Sequence, residues 1–369
     1  MKINTRSPYH INTTKANLTS ATIDLYIYTG TQTSRGAITY SLHSTAYNNK
    51  VTFEISQLVR DYLDVAFAGS YTSQVVFVDY QITQYVNLIA ETPLPIVELT
   101  AFDGYGNFED GNNPQLTNKL LQSNTDLYVL DGNYFYVPIQ QDLLTKVDLI
   151  KDGVILYTQT FTPTTLSDDV VRYIFYTVAT DCVSTSHFLF ESGENYLFED
   201  SNYFIFSDGL DIDSMLITYS DASTQTVNLK IIQEQKYTPK KLAFVNKFGV
   251  LQDLWFFKAN KLSLQTSKND FKRSTISDGG FSISDHQKKI LNKQGVETLI
   301  LNSGFYPESH NEVFKQLLLS EQVWIETDGQ TLPVNITDSS FNFKTSVNDG
   351  LINYTVNLEF AFDKINNVR

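Results

Sequence analysis

Residues 21–28, Ala-Thr-Ile-Asp-Leu-Tyr-Ile-Tyr, place Ile23, Leu25 and Ile27 on one side and polar groups on the other, the period-two pattern of a half-buried strand. Thr29-Gly30 breaks it. Residues 37–42, 51–55, 74–79 and 81–90 continue in the same style, and short strands at that spacing predict a β-sandwich. Ser56 is placed to cap a helix over 56–63 whose Leu58, Val59, Tyr62 and Leu63 share one face and plug an end of the sandwich. Pro93-Leu-Pro95 marks a boundary and closes a first unit at 1–97.

Gly, Asn and Asp then dominate residues 103–133, which read as a long loop or a pair of ribbon-like hairpins reaching over a neighbour, so 98–124 is set apart as a turn-rich insertion. Strand character returns at 134–138, 146–150 and 154–161, with Lys151-Asp-Gly153 as a hairpin turn, and defines a second sandwich-like unit over 125–237. Inside it, residues 188–206 form an aromatic meander of two similar pieces, Phe190 to Tyr196 and Phe198 to Tyr203. A meander so aromatic needs another surface to lie on.

The third unit, 238–369, follows Tyr237-Thr-Pro239. Strands at 242–245 and 254–257 flank a turn at Lys247-Phe-Gly249, and 262–283 reads as a polar excursion. Ser309-His-Asn-Glu312 has the form of a capping box before an apolar stripe of Val313, Phe314, Leu317 and Leu318. Further strands fall at 323–325, 332–337 and 341–345, then a turn at Asn348-Asp-Gly350. The last strand, 351–362, alternates almost without a break, with Ile352, Tyr354, Val356, Leu358, Phe360 and Phe362 on one face. The expected fold is mainly β: tandem β-sandwich-like domains, then a C-terminal α+β domain in which an antiparallel sheet carries one main helix.

Composition strengthens this picture. The chain holds 25 Phe and 22 Tyr against 2 Met and 1 Cys, a bias toward residues that suit pleated surfaces, and its 369 residues exceed what one core organises. Cys182 has no partner for a disulfide or a zinc site. The N-terminal stretch lacks the apolar core of a signal, and no run approaches about 18 apolar residues, so the expectation is a soluble, cytosolically made protein without a membrane-spanning segment. The Asn-x-Ser/Thr matches at Asn12, Asn17, Asn335 and Asn353 are then expected to stay unglycosylated.

Net charge is −14, yet residues 230–293 hold 13 Lys+Arg against 5 Asp+Glu, so the remainder carries −22. That imbalance suits packing copies or partners by complementary faces better than general nucleic-acid binding, with a basic patch on passing DNA as the lesser option.

No phosphate loop, Gly-x-Ser-x-Gly elbow or His-Glu-x-x-His helix occurs. His10, His43, His187, His286 and His310 have no companion at metal-ligand spacing, and His310, in the first turn of a helix, is expected at the surface. The acidic turns Asp208-Gly-Leu-Asp-Ile-Asp213 and Phe108-Glu-Asp-Gly-Asn112 gather oxygens but miss the calcium-loop register and read as solvated turns. Trp255 and Trp324 sit inside apolar strands, which favours core or interface burial over a sugar subsite. No catalytic, cofactor or metal residue is expected; an assembly interface is expected at Phe244, Phe248, Trp255, Trp324, Tyr354 and Phe360.

Three pieces of the last unit carry a resemblance: Phe244-Val-Asn-Lys-Phe-Gly-Val-Leu-Gln-Asp-Leu-Trp-Phe-Phe257; Leu299-Ile-Leu-Asn-Ser-Gly-Phe-Tyr306 running into Leu317-Leu-Leu-Ser-Glu-Gln-Val-Trp324; and Val334-Asn-Ile-Thr337 through Asn348-Asp-Gly-Leu-Ile-Asn-Tyr-Thr355 to Phe360. They resemble virion structural proteins, of the tail, ring or collar kind, from crAss-like and related tailed phages of Bacteroidetes. The resemblance implies a homo-oligomeric ring or collar subunit around the DNA channel, with portal or tail proteins as neighbours and DNA passing without sequence-specific binding. It also implies location in the virion tail or neck after synthesis in the host cytoplasm. The final strand or the 103–133 ribbon is then expected to pair across subunits. Two alternatives are a receptor- or carbohydrate-binding module of the virion and, more remotely, a glycan-degrading tail enzyme, which needs paired carboxylates in a cleft.

Overall fold

The computed structural model describes residues 1–30, 35–163, 170–179, 210–276, 279–327, 329–338 and 351–365. Cys182, His187, the 188–206 meander, the 341–345 strand and the 348–350 turn lie outside the described residues. The chain is mainly β, as expected, with several sheets and a main helix near the C-terminus.

In the first unit, the alternation at Ile23, Leu25 and Ile27 is buried along the strand Leu18–Tyr28. That strand lies between Val76–Val86 and Tyr40–Thr45 in a six-stranded sheet, and a second layer is made by His10–Thr14 paired with Lys50–Glu54. The sheet also takes in Val97–Phe102, which pairs antiparallel with Val76–Val86 and parallel with Lys2–Asn4. The unit therefore runs on to Phe102, past residue 97, because Pro93 and Pro95 sit in a connection within the sheet rather than at its end. The helix is shorter than expected, Ser56–Arg60, and Ser56 is its first residue rather than its cap, with its hydroxyl bonded to the Glu54 carboxylate. Val59 still plugs the core.

The second unit faces a five-stranded sheet against the pair Tyr134–Gln140 and Val171–Thr177. Among the described residues, Val154–Thr160 is the first strand of the five-stranded sheet and Asp126–Leu130 the last. The Lys151-Asp152-Gly153 turn forms as read: Asp152 and Gly153 both take positive φ, 50° and 77°, which a tight hairpin turn demands.

The third unit is a seven-stranded antiparallel sheet in the order Leu251–Phe256, Lys240–Val245, Val323–Thr327, Gln330–Ile336, Leu351–Phe360, Lys288–Pro307, Lys261–Lys272. Phe314 and Leu317 of the helix Asn311–Leu319 share one core cluster with Tyr354, Val356 and Leu358 of the last strand. Three expectations change here. Among the described residues the last strand pairs with Lys288–Pro307 along its length and with Gln330–Ile336 over residues 358–360, so its C-terminal end lies inside the sheet rather than at an edge. The 262–283 excursion begins as a strand, Lys261–Lys272, hidden from the sequence reading because all of it is exposed and its apolar alternation stops after Leu262 and Leu264. The capping box does not form: a 3-10 turn, Glu308–His310, leads into the helix, and its Ncap, His310, makes no side-chain cap bond.

Candidate functional site

Two features of this fold concentrate side-chain chemistry: a buried polar junction where the three units meet, and a basic β-ribbon that leaves the third unit. The junction begins with residues 65–73 of the first unit, which cross onto the third. Val65 and Phe67 bury against Ala243, Val245 and Leu251, and Phe67 covers Trp324 edge-on at 5.6 Å. Tyr71 follows and stacks on Tyr136 of the second unit, with ring centroids 3.7 Å apart.

Beneath these two rings lies a buried ion cluster. Sheet register places Glu326 directly across from Lys241, and Asp253 diagonally across on the neighbouring strand, opposite Ala243. Lys241 Nζ is 3.0 Å from Glu326 Oε1 and 3.6 Å from Asp253 Oδ2, and lies 5.5 and 5.4 Å from the Tyr71 and Tyr136 ring centroids. The Tyr71 hydroxyl donates to the other Asp253 oxygen. Burial by itself would depress the Lys241 ammonium, but Asp253 and Glu326 together hold its pKa above the ordinary lysine value. Burial pushes the Asp253 carboxyl up against the pull of Lys241 and Tyr71, and burial also raises the Tyr71 hydroxyl well above its usual range, so it stays a donor. Each ion thus faces a partner inside the chain, and the cluster ties one unit to the next.

A second network binds the linker after Phe102. Asn246 Nδ2 donates to the Leu121 carbonyl at 2.7 Å and to Gln252 Oε1 at 3.0 Å; Gln252 Nε2 donates to Asn124 Oδ1 at 3.1 Å; Gln316 donates to the Ser123 hydroxyl. Asn124 also donates to His310 Nε2 at 3.2 Å. The turn-rich 103–133 segment is therefore folded in part onto its own chain, through bonds such as Tyr105 to Lys247 and Leu121 to Pro138 and Asn246.

His310 is a correction to the surface expectation. It is 1% exposed, ringed by Tyr128 and Tyr306, and burial pulls its pKa down to about 4. The unfolded chain therefore binds a proton between about pH 6.5 and 4 that the folded chain refuses, so the stability contributed by neutral His310 is complete above pH 6.5 and is lost as pH falls toward 4. The expected slope from this residue is at most about 1.4 kcal/mol per pH unit. Urea unfolding at stepped pH should show a shallower loss over that window for His310→Gln than for the parent; equal slopes would contradict the assignment.

The six expected interface residues fall inside the chain. Phe244, Trp255, Tyr354 and Phe360 are buried in the third unit's core, Phe248 packs with Phe102, Leu121 and Val250, and Trp324 lies under Phe67. Aromatic density marks a core and a junction between units: Phe244, Trp255, Tyr354 and Phe360 are buried, while Phe248 and Trp324 are half-buried at the junction. Trp255, being buried, offers no sugar platform. Of the acidic turns, Asp110 pairs with Lys247 at 2.9 Å and Asp211 with Lys151 at 2.8 Å; Asp208 lies outside the described residues. Among the described residues no group of three His, Cys, Asp or Glu is arranged to hold a metal, and no helix is long and apolar enough to cross a membrane.

Sequence reasoning missed Lys241, Asp253 and Glu326. The available signal was a charge set in or beside an apolar run, in Lys241-Leu-Ala-Phe, Leu251-Gln-Asp-Leu-Trp and Val323-Trp-Ile-Glu. Only the strand register shows that the three meet.

The ribbon is built from Lys261–Lys272 and the first part of Lys288–Pro307, antiparallel with a bulge at Asn269/Asp270. Its outer strand is exposed along its whole length, as are residues 288–293 opposite. From Thr266 outward each strand extends about 25 Å at the usual rise per residue. Large apolar side chains lie in solvent along it and near its tip, among them Leu262, Leu264, Phe271, Phe281, Ile283 and Leu291. Residues 261–293 carry seven Lys/Arg against three Asp/Glu.

No protein-family model matches the chain, and no curated protein matches it. Among solved structures it is similar to the fibronectin(III)-like modules of Clostridium thermocellum CbhA, at 8% identity, covering 63% of this chain and 88% of that one, with a TM-score of 0.17. A superposition that loose leaves function to be argued from the chain's own residues.

Proposed function

We propose that this chain is a structural subunit of a bacteriophage virion, a ring or collar component of the tail that oligomerises around the DNA channel and links neighbouring tail proteins. The observation that supports it most is the basic ribbon: a two-stranded ribbon with apolar side chains in water is marginal by itself and gains stability when a partner covers it. The junction supports the same reading, because it ties three β units together through buried polar contacts, as a subunit bearing load between neighbours requires. The resemblance of residues 244–360 to phage virion proteins points the same way.

Cryo-electron microscopy of the purified particle tests it. The expected result is several copies of this chain in a closed ring at the neck or tail; its absence from purified virions would sink the proposal.

A groove favours a second reading, a receptor- or carbohydrate-binding module. Tyr136, Tyr173, Phe175 and Arg172 with Ser70, Thr72, Ser73 and Gln141 line an open groove of about 610 Å³ beside the junction, and aromatic faces with polar rims suit sugars. Glycan-array binding that Phe175→Ala abolishes would favour this module over the ring.

A further inference from the structure

We propose that one face of the outer ribbon, carrying Lys268, Lys272, Lys288 and Lys293, binds the phosphate backbone of a nucleic-acid duplex without reading its sequence. Strand register brings the four together. Lys268 lies directly across from Lys293 and Lys272 directly across from Lys288, and residues directly opposite in an antiparallel pair share a face. Lys268 and Lys272 share it along their own strand, being four positions apart. Lys288 and Lys293 are five apart, a spacing that a regular strand would send to opposite faces. The bulge at Asn269/Asp270 passes over Leu291 and so restores them to one side.

The other face differs in kind. From Thr266 outward it carries the uncharged Ser267, Asn269, Asn292 and Gln294, with Lys289 opposite Phe271 at its outer end.

The lysine face is unfavourable without an anion. Like charges placed directly opposite on a sheet face repel each other, and this ribbon places two such pairs within about 13 Å, the rise of four strand residues. Asp270, on the same face, lies 3.7 Å from Lys268 and offsets one charge of the four. Lys272, Lys288 and Lys293 are exposed and make no ion pair among the described residues.

Charge, shape and reach choose the occupant. A duplex carries about one negative charge per 1.7 Å of its axis, and its major groove admits a two-stranded ribbon, so four ammoniums in such a row meet phosphates along their whole length. Lysines deliver point charges with no bidentate fork, which suits backbone contact rather than base reading. The net charge of −14 opposes nucleic acid near the body of the chain. The ribbon escapes that field. Gly295, opposite Thr266, is the outermost buried residue of its strand, and Lys272 and Lys288 stand about 20 Å farther out, against a screening length of about 8 Å at physiological salt. An acidic face of a second copy would offer scattered carboxylates, several already held by cations of their own chain, as Asp110 is by Lys247 and Asp211 by Lys151. The contact stands whether or not the chain forms a ring.

Charge-matched variants of the full chain test the face. Lys272→Gln with Lys288→Gln removes two cations from the lysine face, and Lys261→Gln with Lys289→Gln removes two from the other. All four side chains are exposed, and an unchanged melting transition checks each fold. In anisotropy titrations with a labelled DNA duplex, four phosphate contacts predict a loss of parent affinity of about 150-fold between about 50 and 200 mM salt. The lysine-face variant should bind more weakly at low salt and lose only about 12-fold over the same range, as two contacts predict. The other variant should match the parent, and a duplex of unrelated sequence should bind equally well.

A parent that leaves the duplex unbound at low salt overturns the proposal. So does equal weakening by the two variants, which would report net charge rather than a face, and so does a strong preference for one sequence. If the parent forms salt-sensitive oligomers that the lysine-face variant abolishes, and binds no DNA, the proposal fails and the face belongs to an acidic surface of a second copy. A ring in the virion formed by a chain that binds no duplex would overturn this contact and leave the ring function standing.

Discussion

Lys241→Ala is expected to destabilise the folded chain by about 3–5 kcal/mol, the cost of leaving a buried charge without its partner. The size follows from where the ions sit. The Lys241 and Asp253 side chains are 9% and 11% exposed, so water cannot replace the lost ammonium at Asp253, and Glu326 would face that carboxylate with nothing between them. The aromatic lid loses its cation at the same time. Urea denaturation followed by fluorescence should show the midpoint falling with little change in slope. Replacing the whole cluster, Lys241→Met with Asp253→Asn and Glu326→Gln, should recover much of the loss, because no charge is then left without a partner. A single-variant cost below about 1 kcal/mol would mean that the cluster is solvated like a surface pair.

Gly249→Ala should cost at least about 3 kcal/mol, combining backbone strain with a clash that no side chain can relieve. Gly249 holds φ at +74°, which L side chains rarely adopt. An added Cβ would also lie 2.5 Å from the Gly104 nitrogen and 2.7 Å from the Asp103 backbone. The approach is reciprocal, since a Cβ on Gly104 would meet the Lys247 carbonyl oxygen at 2.7 Å. Here the strand leaving the first unit lies directly on the turn of the third, and the Tyr105 amide donates to the Lys247 carbonyl at 2.9 Å. Thermal unfolding should fall sharply for Gly249→Ala, whereas Gly329→Ala, with φ +73° and open space around its Cβ, should show the strain alone. Equal losses at the two sites would contradict the close packing of the units.

These two sites show what a turn signal conveys. Lys247-Phe-Gly249 is legible as a turn because glycine permits positive φ, but its function as a contact between units depends on residues over a hundred positions earlier. His310 makes the same point from the other side. Its place at a helix start suggested solvent, and tertiary packing instead set it between Tyr128 and Tyr306. The aromatics expected at an assembly interface are apolar anchors within the chain, four buried and two half-buried, since hydrophobicity reports burial without saying whose surface does the burying.

What the sequence determined by itself was the class of the fold and the inward face of its regular strands. Ile23, Leu25 and Ile27, or Ile352 to Phe360, must face a core wherever it forms, because the two-residue period leaves one face apolar. The Lys151-Asp-Gly153 hairpin belongs with them, since its backbone demand is local. Tertiary structure alone decided strand order and register. It set the end of the last strand, residues 358–360, between two neighbours, joined Lys241, Asp253 and Glu326 across neighbouring strands, and turned a polar excursion into the longest exposed edge of the third sheet. Those outcomes depend on pairings between distant residues, and a strand exposed on both faces, such as Lys261–Lys272, whose alternation ends after Leu264, gives too short a pattern for its pairing to be read.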